Sequence, residues 1–169
     1  MAMLRLAVIG AGLIGREHCT LIREHPGAEL VGLADVSEDA ASYAQGIRVP
    51  YYADYQQLLD DTKPDGVIVA VPNQLHVAAG GACLSRGIPC LVEKPIADTV
   101  PAARELVEAA ETAGVPILVG HHRRHSPDIR EGPTEPRIRL PSVDGGTSGS
   151  NILLLLLRLL RLWHWRLPR

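Results

Sequence analysis

The stretch "LRLAVIGAGLIGREH" near the start of the chain constrains the fold more than any other part of the sequence. Its first residues read as a buried strand, and the residues from Leu13 onward read as a helix. Gly10, Gly12 and Gly15 join the two elements in the pattern G-x-G-x-x-G. In this context the first glycine permits a tight turn, the second lets a ligand approach the backbone, and the third lets the helix pack on the strand. The helix N-terminus, with Leu13 and Ile14, would then face the pyrophosphate of a dinucleotide.

Asp35 follows the second apolar run, "ELVGLA", about 20 residues after Gly15. A carboxylate at this position can accept hydrogen bonds from the adenosine ribose and would repel a 2′-phosphate. The next residues, Val36 and Ser37, carry no positive charge that could hold such a phosphate. The two signals together predict NAD binding in preference to NADP. The alternative is an ordinary structural glycine turn with Asp35 facing solvent.

Up to about residue 120, apolar runs of strand length alternate with amphipathic stretches of helix length. Fully apolar runs such as "GVIVAV" are typical of strands that are covered on both faces of a parallel sheet. We predict helix N-caps at Ser37 and Asp54 and a C-cap at Gly87. The alternation with short links predicts the α/β class, with a doubly wound parallel sheet of the Rossmann type.

Size, charge and cysteine content bound the class of protein. A chain of 169 residues has the length of one domain, and 46% hydrophobic residues suffice for a buried core. The formal net charge of -2 gives no general attraction to nucleic acid or to acidic membranes, and we expect neither as a partner. Cys19, Cys83 and Cys90 show no C-x-x-C spacing, which argues for reduced thiols in a cytoplasmic protein.

After Pro127 the alternation stops. The next residues are rich in Pro, Gly, Ser and Thr, and they lead to the Leu/Arg-rich segment "NILLLLLRLLRLWHWRLPR". This segment is too short and too charged to span a bilayer, and its arginines do not segregate onto one face as in a membrane-surface helix. We therefore predict a dinucleotide-binding domain over residues 1–127 and an atypical tail over residues 128–169. The tail is expected to be irregular or to derive from a shifted reading frame.

Three further stretches carry a resemblance to a known family: "VAVPNQLH" (69–76), "CLVEKPIA" (90–97) and "VGHHRRHSP" (119–127). With the glycine loop, they make residues 3–127 resemble the glucose–fructose oxidoreductase, inositol dehydrogenase and rhizopine-catabolism (Gfo/Idh/MocA) family. The resemblance implies a Rossmann domain that binds NAD(P) and a larger second α/β domain that supplies most of the substrate pocket. It also implies hydride transfer between the nicotinamide cofactor and a hydroxyl or carbonyl group of a small-molecule sugar or polyol.

Within that resemblance, the E-K-P triplet makes Lys94 the catalytic residue, near the nicotinamide and the substrate hydroxyl. Lys94 follows a predicted strand of an open sheet, where ligands bind. A neighbouring positive nicotinamide ring would favour the neutral amine, which suits proton transfer. Glu93 is expected to contact the cofactor region, and Pro95 to fix the turn through a cis peptide bond. Taken without the family, Lys94 reads more readily as a solvated loop lysine than as a catalytic residue.

The resemblance also implies that Val71, Pro72, Asn73 and His76, in the loop after the fourth strand, lie beside the cofactor. His76 could instead cap the helix that follows it. Arg124 belongs to an arginine pair that matches the family near the mouth of the site. All five residues are therefore predicted cofactor contacts.

Three histidines in "GHHRRHSP" raise the question of a metal site. His121 and His125 are four residues apart, but the two arginines between them would repel a cation. We predict that no metal binds there and that these side chains surround a ligand cleft.

The family comparison also identifies what this sequence lacks. Family members are substantially longer, and their second domain carries an Asp-x-x-x-His pair that works with the lysine; this sequence contains no such pair. We expect a chain that binds NAD weakly, turns over polyols poorly because nothing positions them, and self-associates through an exposed face. The alternative is a non-catalytic nucleotide-binding or interaction module.

Overall fold

A computed structural model describes residues 3–120, 153 and 156–160 of the chain. Within these residues, parallel strands form one sheet and helices connect them. The strands are β1 (Leu4–Ile9), β2 (Ala28–Ala34), β3 (Tyr51–Tyr52), β4 (Gly66–Val69), β5 (Cys90–Val92) and β6 (Ile117–Val119). The helices are α1 (Leu13–Glu24), α2 (Glu38–Gly46), α3 (Tyr55–Thr62), a 3-10 helix (Asn73–Leu75), α4 (His76–Leu84) and α5 (Val100–Ala113).

The strands lie in the order β3-β2-β1-β4-β5-β6, and every neighbouring pair is parallel. The chain moves outward from β1 to β3, returns to place β4 beside β1, and moves outward again to β6. This is the order of the doubly wound Rossmann fold, so the predicted fold class is confirmed. Because the direction of winding reverses between β1 and β4, a crevice opens beyond the carboxyl ends of these strands.

Both faces of the sheet are covered, which explains why its central strands are so apolar. All four residues of β4 are buried. On one face, Cys19 and Ile22 of α1 belong to the same buried cluster as Leu6 of β1. On the other face, α3, α4 and α5 contribute Leu58, Leu106 and further residues to a second cluster.

Four leucines of the tail, Leu153, Leu156, Leu157 and Leu160, belong to the first of these clusters. Leu153 and residues 156–160 are helical. Leu153, Leu156, Leu157 and Leu160 are each at most 3% exposed, and their spacing of three and four residues places them on one helix face. These residues differ from the irregular tail that we expected, because their leucines bury apolar surface against the sheet.

The remaining predictions about the tail have separate outcomes. The boundary at residue 127 lies outside the described residues, so the division of the chain there stays a prediction. In the part of the chain that the structure describes, no helix combines the length and apolar character that crossing a bilayer requires.

The predicted helix ends are confirmed. The Ser37 hydroxyl accepts a hydrogen bond from the N–H of Ala40 at the start of α2, and the Asp54 carboxylate caps α3. The last helical residue of α4 is Leu84, and Gly87 closes the helix as predicted, in a left-handed conformation (φ 68°). The Gly87 N–H donates to the Leu84 carbonyl oxygen and the Ile88 N–H to that of Cys83, each at 3.0 Å, which is the bonding pattern of a glycine C-terminal motif.

Candidate functional site

The glycine loop between β1 and α1 has the close packing that its sequence predicts. Gly10 has φ 101°, and a Cβ on it would overlap the carbonyl group of Ala70. A Cβ on Gly15 would overlap the carbonyl oxygen of Gly10, so only glycine lets the helix lie this close to the turn. In contrast, a Cβ on Gly12 would meet no atom within 4 Å. The loop therefore presents open space at Gly12 and tight packing on either side of it.

The first turn of α1 offers an electropositive end to that open space. The helix begins at Leu13, and the N–H groups of its first turn have no partner within the helix. The turn contains no acidic residue that would offset the positive end of the helix dipole, whereas α2 begins with Glu38 and Asp39. The side chains of Leu13 (86% exposed) and Ile14 (43% exposed) flank the same end. This arrangement suits an anion such as a pyrophosphate.

Asp35, just beyond β2, is held by the glycine loop itself. The Ala11 N–H donates to its Oδ2 at 2.7 Å, and the Ser37 N–H donates to its Oδ1 at 2.9 Å. Partial burial favours the neutral acid, but these bonds and others from Val36 and Ser37 outweigh it and lower the pKa of Asp35 below its ordinary value. An oriented, ionised carboxylate therefore lies at the end of β2, beside the crevice.

A cleft of about 320 Å³ lies at the other side of the loop, beyond β4 and β5. It brings together six of the predicted site residues with Pro95 of the predicted turn and with Ala70, which was not predicted. Its lining consists of Ile14, Ala70, Val71, Asn73, His76, Glu93, Lys94 and Pro95. Lys94 is exposed at this cleft, and the Lys94–Pro95 peptide bond is cis, as predicted. Pro72 is exposed on the loop beside it.

His76 holds the two loops of this cleft together. Its ring is 1% exposed, with Nδ1 2.8 Å from the Pro95 carbonyl oxygen and Nε2 2.8 Å from that of Val71. A neutral imidazole donates to only one of two such carbonyls, and a protonated ring donates to both. Both nitrogens thus face backbone acceptors of the two loops. His76 does not cap α4 through its side chain, since capping would require a bond to an N–H group.

Glu93 lies deeper in the cleft wall and contacts a buried histidine that the sequence analysis missed. Nε2 of His18, on α1, is 2.8 Å from Oε1 of Glu93. The absence of a side chain at Gly120 makes room for this carboxylate, since a Cβ there would come within 2.8 Å of it. A histidine on the buried face of α1 and an acid at the end of an apolar strand were the available signals, but nothing in the sequence pairs them.

Some predicted site residues cannot be placed. Arg124 and the histidines at 121, 122 and 125 lie outside the described residues. Among the residues that are described, no three His, Cys, Asp or Glu side chains form a group that could hold a metal ion.

The strand order, the glycine loop at the switch point and the acid at the end of β2 define a dinucleotide-binding Rossmann domain. Comparison with known proteins gives the family. Residues 4–121 match the sequence model of the GFO_IDH_MocA group, described as "Oxidoreductase family, NAD-binding Rossmann fold". The chain belongs to this family.

Individual relatives agree with this assignment. Inositol 2-dehydrogenase 2 of Saccharopolyspora erythraea is 37% identical over 134 residues, which cover 76% of this chain and 39% of the relative. Among solved structures, an NAD-binding oxidoreductase from Klebsiella pneumoniae has a TM-score of 0.67 at 29% identity, covering 75% of this chain and 36% of its own. The WlbA dehydrogenase of Chromobacterium violaceum, in complex with NADH and UDP-GlcNAcA, has a TM-score of 0.69 at 27% identity, covering 74% and 37%. The chain thus spans well under half the length of these relatives.

Proposed function

We propose that this chain binds NAD, in preference to NADP, as the cofactor domain of an oxidoreductase that acts on a hydroxyl or carbonyl group of a sugar or polyol. The observation that carries the proposal is the hydrogen bond between the Asp35 carboxylate and the Ala11 N–H in the glycine loop. It puts a fixed negative charge next to the open space at Gly12. One dinucleotide can then place its diphosphate at the N-terminus of α1 and its adenosine ribose at the Asp35 carboxylate.

The acceptor capacity of Asp35 supports a ribose contact. A carboxylate has about four acceptor sites, and the backbone bonds from Ala11 and Ser37 direct one to each oxygen. The 2′- and 3′-hydroxyl groups of an adenosine ribose can take the other two acceptor sites, in exchange for the Ser37 hydroxyl and the Val36 N–H that also contribute there. A 2′-phosphate would face this ionised carboxylate and, a few residues on, Glu38 at the start of α2, whereas the neighbouring Asp39 is already paired with Arg16. Repulsion from these acids favours NAD over NADP.

The cleft between the two loops suits the nicotinamide end of the ligand. When bound, NAD supplies hydride acceptance and, as NADH, hydride donation. Among the described residues, Lys94 is the one cationic side chain in the cleft lining, and a primary amine there can exchange a proton with a substrate hydroxyl. We assign Lys94 this role, and we assign Val71, Pro72, Asn73 and Glu93 to the cleft wall beside the nicotinamide. His76 supports that wall by joining its two loops.

The named relatives support the substrate class and the cofactor. One relative is an inositol 2-dehydrogenase, and one structural neighbour holds NADH together with a nucleotide sugar. We therefore propose a polyol or sugar as the substrate of the complete enzyme.

Calorimetric titration with NAD, NADP and ADP-ribose tests the proposal. Wild-type chain should bind NAD and ADP-ribose and bind NADP more weakly. Asp35→Ala should weaken NAD binding roughly tenfold, which corresponds to the loss of about one charge-assisted hydrogen bond. It should also reduce the ratio between the NAD and NADP affinities. Asp61→Ala, an exposed acid on α3, is the matched control and should leave all three affinities unchanged. Equal affinity of the wild type for NAD and NADP would contradict the cofactor preference, and no binding of either would contradict the function.

A second variant separates the phosphate site from the fold. Gly12→Ala adds a methyl group that meets no protein atom, and the small cost of alanine at the N-cap of α1 is offset by the reduced freedom of the unfolded chain, so the thermal stability should change little. The same methyl group would occupy the space where we place the pyrophosphate, and NAD affinity should therefore fall well below that of the wild type. An unchanged affinity would rule out this position for the phosphates.

We also propose that the chain self-associates. The half-buried apolar residues of β6 form one edge of the described sheet, and Leu13, Leu75 and Val100 are exposed apolar side chains. Sedimentation equilibrium at several concentrations should then give a mass above that of the monomer of 18.2 kDa. A monomer mass throughout would contradict this part of the proposal.

A further inference from the structure

The buried pair His18 and Glu93 joins the two halves of the proposed site. His18 lies in the second turn of α1 and is 3% exposed. Its Nε2 is 2.8 Å from Glu93 Oε1, and the Glu93 side chain is 13% exposed. The helix whose first turn faces the phosphates is thereby tied to the loop that carries Lys94.

Glu93 passes this contact on to Lys94 through the backbone. The Glu93 N–H donates to the Val69 carbonyl oxygen at 3.0 Å, which fixes Glu93 at the end of β4 and β5. Its Oε2 accepts a hydrogen bond from the N–H of Lys94 at 3.3 Å. The carboxylate therefore contacts His18 through one oxygen and orients the start of the Lys94–Pro95 turn through the other.

Space and polarity indicate that this geometry is specific. Gly120 leaves the volume that the Glu93 carboxylate occupies, and the Gly120 N–H donates to the Val92 carbonyl oxygen at 2.9 Å, which keeps that gap in place. Nδ1 of His18 is buried and has no hydrogen-bond partner among the described residues. A buried polar atom without a partner costs stability, and an apolar side chain at position 18 would avoid that cost. The bond from Nε2 to Glu93 is therefore the contact for which an imidazole is suited here.

We propose that His18 is a positioning residue: through Glu93 it sets the backbone of Lys94 against the nicotinamide end of the bound dinucleotide. This inference rests on the proposed function, since it assigns a role toward NAD. It predicts that loss of the His18 bond affects the nicotinamide half of the ligand and spares the adenosine half.

Paired titrations with NAD and ADP-ribose test this, because ADP-ribose lacks the nicotinamide. His18→Leu fills the same space with an apolar side chain of similar size and removes the ring nitrogen that contacts Glu93. It should lower the ratio of NAD affinity to ADP-ribose affinity roughly tenfold. His18→Gln places an amide N–H near the position of Nε2 and should restore most of the ratio. Cys19→Ala removes a buried group from the same turn without touching Glu93, so it should lower the melting temperature and leave the ratio unchanged.

The outcomes of these titrations distinguish failure of the His18 inference from failure of the proposed NAD binding. If the wild type binds both ligands and His18→Leu weakens them equally, the pair is merely structural and the inference is wrong. A His18→Gln ratio as low as that of His18→Leu would also overturn it. If His18→Leu does not fold, His18→Asn, whose amide is too short to reach Glu93, is compared with His18→Gln on the same criteria. Failure of the wild type to bind either ligand would instead refute the proposed function.

Discussion

Shortening Leu160 to alanine should destabilise the chain by about 2–5 kcal/mol, the range for a fully buried leucine. Leu160 is 0% exposed in the cluster that contains Leu6, Ile68 and Leu91 of the sheet. Its terminal methyl groups lie over Gly66 at the start of β4, where a Cβ would come within 2.7 Å of Cδ1. The tail therefore fills a hollow that the glycine leaves, and truncation should open a cavity there.

The partner substitution, Gly66→Ala, gives the prediction its specificity. The added methyl group would overlap Leu160 and press on Leu6 at 3.3 Å, so alone it should cost about 1–3 kcal/mol through overpacking. In the double variant the new methyl group would occupy part of the cavity that Leu160→Ala creates. The double variant should then be destabilised by less than the sum of the two single costs, and the difference is a coupling energy of about 0.5–3 kcal/mol.

Denaturant unfolding of the wild type and the three variants measures both single costs and the coupling. Arg158→Ala is the control, because Arg158 is exposed on the same helical segment and its loss should change stability by less than about 0.5 kcal/mol. If Leu160→Ala is as mild as Arg158→Ala, or if the costs of the pair are additive, the tail does not pack on β4 and the reasoning is refuted.

Three further predictions concern single positions in the domain. Because the pKa of Asp35 is lowered in the folded chain, its carboxylate adds stability above the unfolded pKa of about 4. That stability is lost as the pH falls through the lower folded pKa. The melting temperature of Asp35→Asn should therefore fall less steeply than that of the wild type below about pH 4. His76→Leu leaves the Val71 and Pro95 carbonyls without their partner and should cost about 1–3 kcal/mol in denaturant unfolding. Gly81→Ala, in the interior of α4 with no atom within 4 Å of the new methyl group, should stabilise the chain by about 0.4–1 kcal/mol in the same assay.

The phosphate half of the site could be predicted because its geometry is local. Gly10, Gly12 and Gly15 lie in the turn after β1 and the first turn of α1, where the spacing of glycines largely dictates which positions are tight and which are open. Asp35 could be placed because parallel strands that neighbour each other end at the same edge of the sheet. Its bond to Ala11, which fixes the carboxylate, could not be foreseen from these patterns.

The nicotinamide half depends on contacts between distant parts of the chain. His18 and Glu93 are 75 residues apart, and no periodicity connects a residue of α1 with the end of β5. His76 could be assigned to the cleft from the family resemblance, but the two carbonyls that its ring contacts come from different loops. Local sequence therefore identifies which residues line this cleft, whereas the fold decides which of them support the others.

The tail illustrates a different limit of sequence reasoning. A run of five leucines at 153–157 makes every helix face apolar, so the sequence does not show which face is buried. The buried face is determined by packing on the sheet. Leu160 fills the hollow over Gly66, and the helical spacing then places Leu153, Leu156 and Leu157 on the same side.

The position of that hollow predicts how the tail relates to binding. Gly66 is the first residue of β4, and the loop that faces the glycine turn begins after Val69, its last residue. At about 3.3 Å per residue, roughly 10 Å of rigid, fully buried strand separates Leu160 from the crevice. Leu160→Ala should therefore lower the free energy of unfolding while the NAD affinity of the folded chain stays within about twofold of the wild type. A matched fall in affinity, measured by titration well below the melting temperature, would mean that the tail helps to shape the crevice as well as to stabilise the fold.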